Sequence, residues 1–167
     1  LELDTFSYIH AKAGSRAQEW HIDVPALFEP KAALRDGSAA AAALRHLPPP
    51  GVVAVVPLLD LEPRHGPTEF LAGSHVERGA QFWSGPGDRG VNGATPTISV
   101  AARRGSVVLF DLRLRHRGGA NAHTTDRAVL YMSYVQSWYR DAVNFRERQG
   151  VAWDALPSGQ LRGLFGR

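Results

Sequence analysis

The chain has 167 residues, 44% hydrophobic and 21% charged, the proportions of one soluble globular domain with a single core. Its net charge of +3 rests almost wholly on arginine, and the only dense basic cluster is Arg113, Arg115 and Arg117. A nucleic-acid surface needs a broader stripe with stacking aromatics, so a small anionic ligand is the better match. With no cysteine, disulfides and thiolate metal sites are excluded, and any metal must take His and carboxylate ligands.

No apolar run is long enough to span a bilayer, so no membrane partner is expected. The missing cysteines leave the compartment open, and the expectation is a soluble, intracellular protein. Short stretches rich in Val, Ile, Tyr and Phe, bounded by Gly and Pro, follow one another along the chain. In order they predict strands at 4–12, 19–24, 52–59, 69–71, 97–101, 106–111 and 127–137. Turn signals separate them, among them Pro48-Pro49-Pro50-Gly51 and Arg104-Gly105. No long helical period competes, which points to an all-β sandwich or barrel. Two long connections, 25–51 with its run Ala39–Ala43 and 76–96 with Trp83 and Arg89, are the candidates for lids over a site. Beyond residue 144 the sequence suggests a loop and a short C-terminal helix packed on the sheet.

The segment Trp-His-Ile-Asp-Val, 20–24, places His21 and Asp23 two apart, so on a strand both would face one side, opposite Trp20, Ile22 and Val24. The pair suits two ligands of one metal as well as two solvated positions. Seven histidines are available for a third ligand. His46, His65 and His123 read as solvated, and His75 as a turn or strand cap. His116 follows the apolar stretch 106–111 and meets Gly118-Gly119, a turn beside something that approaches closely. Eleven residues on, Arg127 opens a strand with Arg127, Val129, Tyr131 and Ser133 on one face. Buried there, its guanidinium needs an anion; at an exposed strand end it would pair with Asp126 or water.

Four segments together resemble the phytanoyl-CoA dioxygenase family of Fe(II)- and 2-oxoglutarate-dependent oxygenases. These are WHIDVPALF, VVAVVPLLDLEPRHGPTEFLAGSHV at 52–76, GSVVLFDLRLRH at 105–116, and HRGGANAHTTDR at 116–127. The resemblance implies a double-stranded β-helix (a jelly roll, or cupin-like barrel) with iron at one end. It implies His21, Asp23 and His116 as the catalytic iron ligands, and Arg127 as the partner of the distal carboxylate of 2-oxoglutarate. Gln18 and Thr68 are further candidates for cofactor contact. Two imidazoles and one carboxylate leave coordination positions open, as non-haem Fe(II) oxygenases require for 2-oxoglutarate and O2.

The implied reaction releases succinate and CO2 and hydroxylates a small-molecule substrate. Asp23 favours hydroxylation, because halogenating relatives lack this carboxylate. The sequence departs from the family at Ala72, where Pro is usual, at Val55, where many members carry Trp, and at Gly118, where many carry Ser. One oxygenase domain over 1–167, lacking the family's N-terminal helical part, is the expectation. A non-catalytic jelly-roll binding module and a cupin-like metalloenzyme without 2-oxoglutarate are the rival readings.

Overall fold

The computed structural model describes residues 1–24, 48–76 and 96–139. The helix expected near the C-terminus, the alanine run, His46, Trp83 and Arg89 lie outside these residues. Among these residues seven strands form two antiparallel sheets: β1 (Glu2–Ala11), β2 (Gly51–Pro57), β3 (Thr68–Leu71), β4 (Thr97–Ser99), β5 (Val108–Asp111), β6 (His116–Gly118) and β7 (Arg127–Val135). One sheet has the order β1-β7-β2-β5 and the other β4-β3-β6. Four of the six successive strand pairs, β2 to β3 and each step from β4 to β7, lie in opposite sheets, as in a jelly roll.

Alternation along each strand sends one set of residues into the space between the sheets. Val53 and Val55 of β2, Phe110 of β5, and Val129 and Val135 of β7 meet Phe70 of β3, Leu61 and Leu112 there. Phe70 and Phe110 make an edge-to-face contact across the gap, with ring centroids 4.9 Å apart. Each such buried side chain contributes about 1.5–3 kcal/mol relative to exposure. The outer face of the larger sheet is also apolar, with Phe6, Tyr8 and Leu109 exposed.

Two expectations about local structure are corrected. Residues 19–24 do not form a strand: they make one antiparallel bridge, His21 with His116, and then bend. Ile22 and Val24 therefore line the same cavity as His21 and Asp23 instead of facing away. Gly118, read with Gly119 as a turn after His116, instead ends strand β6, which pairs with β3 in the register Phe70–His116 and Thr68–Gly118. The signal missed was the alternation of the arginines: Arg117 leaves the sheet to pair with Glu69 at 2.7 Å and to cover the Trp20 ring at 4.6 Å. Arg113 forms an ion pair with Asp111 at 2.7 Å and Arg115 is buried, so this basic cluster belongs to the fold.

Candidate active site

The bridge between His21 and His116 fixes one wall of a cavity of about 520 Å³ between the sheets. Reciprocal backbone bonds, His21 N to His116 O at 3.0 Å and His116 N to His21 O at 2.9 Å, set the two imidazoles side by side. Their ring centroids are 4.5 Å apart. Each ring then makes the same second bond. Nδ1 of His21 lies 2.8 Å from the Glu19 carbonyl, and Nδ1 of His116 lies 2.9 Å from the Leu114 carbonyl. A carbonyl only accepts, so both Nδ1 atoms carry the proton and both Nε2 atoms present lone pairs.

Those two lone pairs converge on Asp23, whose Oδ1 is 3.9 Å from His21 Nε2 and 3.6 Å from His116 Nε2. The bend after Ile22 brings the carboxylate round to them. From β7, the Tyr131 hydroxyl donates to Asp23 Oδ2 at 2.6 Å and turns the other oxygen toward the imidazoles. One donor atom from each residue lies within 4.8 Å of the others. Burial pushes the His116 pKa down, partly countered by the Asp23 charge, which keeps this ring neutral and able to bind a metal near neutral pH. The donor set fits a first-row divalent cation: two imidazoles whose Nδ1 atoms are each held by a carbonyl, and a carboxylate held by a hydroxyl.

Arg127 sits further along the cavity, 7% exposed. Its Nη1 donates to the carbonyls of Gly119 (3.1 Å) and His65 (3.3 Å), and no carboxylate pairs with it among the described residues. The pairing with Asp126 does not form. Asp126 instead accepts from His10 at 2.8 Å and from the Ala13 amide at 2.8 Å, the latter holding its carboxyl below the usual range. Burial pushes the Arg127 pKa down, the mark of a cation without a matching anion.

Gln18 and Thr68 lie at this end too. Gln18 and Gly118 exchange bonds, Gln18 N to Gly118 O at 2.9 Å and Gly118 N to Gln18 Oε1 at 2.7 Å, and Thr68 is the register partner of Gly118. A Cβ at position 118 would lie 2.8 Å from Arg127 Nη2 and 2.9 Å from Gln18 Oε1, so the ends of these two side chains would have to shift. A serine in this position would displace both side chains. Val55, where relatives carry Trp, is buried on the cavity wall.

A second cluster of the same composition, Glu62, His65 and His123, lies behind Arg127. His65 was expected in solvent but is 4% exposed. It ends a 3-10 turn (Pro63–His65) that closes on Gly66 at φ 64°, where a Cβ would collide with the Ala120 carbonyl. Its Nδ1 accepts from the Glu62 amide at 3.1 Å, so its Nε2 carries the proton and donates to Thr125 Oγ1 at 3.2 Å. That hydroxyl in turn donates to Nδ1 of His123 at 2.9 Å, and the two imidazoles stack with centroids 3.9 Å apart. His123 is half-buried, again not the solvated residue expected. His75, within the 3-10 turn Ser74–Val76, stands apart from both clusters.

The two sheets make a jelly roll, and inside it two imidazoles and a carboxylate converge as a donor set that could hold a metal ion. The phytanoyl-CoA dioxygenase (PhyH) family model matches residues 3–129, and the chain belongs to that family. Solved structures agree in fold. The carbocyclase SnoK from nogalamycin biosynthesis, described as non-haem and α-ketoglutarate-dependent, superposes with TM-score 0.63 at 19% identity over 87% of this chain and 54% of its own. The epimerase SnoN, in complex with Fe3+, α-ketoglutarate and nogalamycin RO, gives 0.59 at 20% identity over 86% and 54%. AviO1 from Streptomyces viridochromogenes gives 0.58 at 20% identity over 83% and 52%. The chain thus spans about half the length of the structures it matches.

Proposed function

We propose that this chain holds Fe(II) and 2-oxoglutarate and hydroxylates a small organic substrate, with release of succinate and CO2. The observation that carries the reading is a pair of opposite deficits in one cavity. The Nε2 atoms of His21 and His116 offer lone pairs toward Asp23 and make no hydrogen bond among the described residues. Arg127, on the same cavity, is a buried cation without a carboxylate. A divalent metal answers the first and a dicarboxylate the second.

In this assignment His21, Asp23 and His116 ligate the metal. Arg127 offers its planar fork to the far carboxylate of 2-oxoglutarate, where a bidentate pair is strongest. Gln18 keeps its amide NH2 for the same ligand, since its Oε1 is taken by Gly118. Thr68 adds a hydroxyl beside it. When bound, iron with 2-oxoglutarate and O2 supplies the oxidant for C–H hydroxylation. Tyr131 holds Asp23 through Oδ2 and so keeps one oxygen for the metal. With that carboxylate present, the position a halide would take is filled, which favours hydroxylation. The apolar wall of Val55, Phe110 and Val129 limits water around the metal.

The test is anaerobic loading with Fe(II) and 2-oxoglutarate, followed by O2. Succinate formation that depends on all three is expected. A protein that is stable but takes up neither iron nor 2-oxoglutarate would instead be a binding module that has kept the motif.

A further inference from the structure

The cavity has a second polar end that the metal and Arg127 leave unused. Antiparallel pairing of β1 with β7 sets Ala11 opposite Arg127, Ser7 opposite Tyr131 and Thr5 opposite Ser133. Moving along β7 from Arg127, the inward residues are Val129, Tyr131, Ser133 and Val135, spaced about 6.6 Å apart. Tyr131 marks the level of Asp23. Thr5, Ser7 and Ser133 therefore line the compartment on the side away from Arg127.

One irregularity adds a charge to this compartment. The register slips between Leu3 and Thr5, so Asp4 is the extra residue of a β-bulge. In an unbroken strand Asp4 would share the outer face with the exposed Phe6 and Tyr8. The bulge turns it inward instead, and Asp4 lines the cavity beside Thr5 and Ser7. Its Oδ2 accepts one hydrogen bond, from the Thr5 hydroxyl at 3.2 Å, and no cationic side chain pairs with it among the described residues. The walls around it, Leu112, Val135 and Tyr139, are apolar or aromatic.

We infer that Asp4, with Thr5, Ser7 and Ser133, is the substrate-orienting subsite, and that it takes a neutral ring bearing neighbouring hydroxyl groups, of sugar or polyol type. The carboxylate accepts from two hydroxyls at once, the Ser and Thr hydroxyls donate or accept as needed, and the ring's C–H face lies on Leu112 and Val135. An anionic substrate is disfavoured there, because it would bring a second negative charge to Asp4 in a partly buried space. The inference rests on the proposed function, in which the Arg127 end is given to 2-oxoglutarate.

The probes share a pyranose skeleton: methyl glucoside (neutral), its 6-carboxylate analogue and its 2-ammonium analogue. Binding is measured by ligand-observed NMR on the full chain, both without metal and with Ni(II) plus 2-oxoglutarate. Wild type should bind the neutral probe about tenfold more tightly than the carboxylate. Asp4→Ala should abolish that preference while leaving Ni(II) and 2-oxoglutarate affinities and the melting temperature unchanged, and Asp4→Lys should reverse it. Equal binding of neutral and carboxylate probes by wild type overturns the inference. So does an Asp4→Ala protein that keeps the preference, binding of the ammonium probe alone, or no saturable binding of the neutral one. A wild type that binds the neutral sugar but neither Ni(II) nor 2-oxoglutarate sinks the oxygenase reading and leaves the subsite standing.

Discussion

Two clusters in this protein each contain two histidines and one carboxylate with ligand atoms within 4.8 Å, and they are built for different ends. In the first, both Nδ1 protons go to backbone carbonyls, which only accept, so both Nε2 lone pairs remain to face Asp23. In the second, both ring nitrogens of His65 and Nδ1 of His123 are engaged within the protein. The Glu62 amide, His65, Thr125 and His123 form a chain in which each proton already has an acceptor. A metal at His65 would have to displace the amide that caps a turn or strip the proton given to Thr125. Residue type and proximity are common to both clusters; what differs is whether the protein's own hydrogen bonds leave the Nε2 atoms free to face the carboxylate. The two clusters are linked, because the carbonyl of His65 is one of two that hold Arg127.

The largest contrast should come from the carboxylates. Asp23→Ala is expected to lower metal affinity by more than the roughly 100-fold that loss of an outer hydrogen-bond partner costs, while Glu62→Ala leaves it unchanged. Calorimetric titration with Co(II) or Ni(II) measures both, and a drop for Glu62→Ala would erase the distinction between the clusters. Next in size is Arg127→Ala. Removing one side of a buried charge pair costs about 2–5 kcal/mol, so the Kd for 2-oxoglutarate should rise by about 30-fold or more at unchanged metal affinity. A cupin-like enzyme without 2-oxoglutarate would show no such rise.

Tyr131→Phe sharpens the comparison from within the first cluster. It removes only the hydroxyl that holds Asp23 Oδ2, and metal affinity should fall by about tenfold, with a shifted Co(II) absorption spectrum and an unchanged fold. The smallest effect is expected at Asp126, which is exposed and outside both clusters. Its carboxyl is held below the usual range by the Ala13 amide, and then by His10. A depressed folded-state pKa stabilises the fold above the unfolded value and is lost as pH falls through the folded one. Asp126→Asn should therefore lower the melting temperature slightly at pH 7, with the difference from wild type vanishing in acid. Metal and 2-oxoglutarate binding should not move.

That His21, Asp23, His116 and Arg127 belong together was legible from the resemblance of four ordered segments; spacing alone left His21 and Asp23 open between ligands and solvated positions. The strands β2, β5 and β7 were legible from their runs of Val, Leu and Tyr. What was not legible depends on contacts far apart in sequence. The Tyr131–Asp23 hydrogen bond joins residues 108 positions apart, Tyr131 on β7 of one sheet and Asp23 in the segment that bridges to β6 of the other. The inward turn of Asp4 needs a bulge that no residue type in Leu3-Asp4-Thr5 announces. His65 looked solvated beside Pro63 and Gly66, yet the 3-10 turn folds it beneath His123. For 19–24 the strand pattern misled, since a single bridge and a bend serve to aim two side chains.

The central claim is that His21, Asp23 and His116 bind Fe(II) in a cavity where Arg127 binds 2-oxoglutarate. Anaerobic addition of Fe(II) and then 2-oxoglutarate tests both halves at once. Wild type should develop a weak visible charge-transfer band that Asp23→Ala abolishes, that Arg127→Ala shifts to much higher 2-oxoglutarate concentrations, and that Glu62→Ala leaves intact. A wild-type protein with no band, or a band that survives Asp23→Ala, contradicts the account.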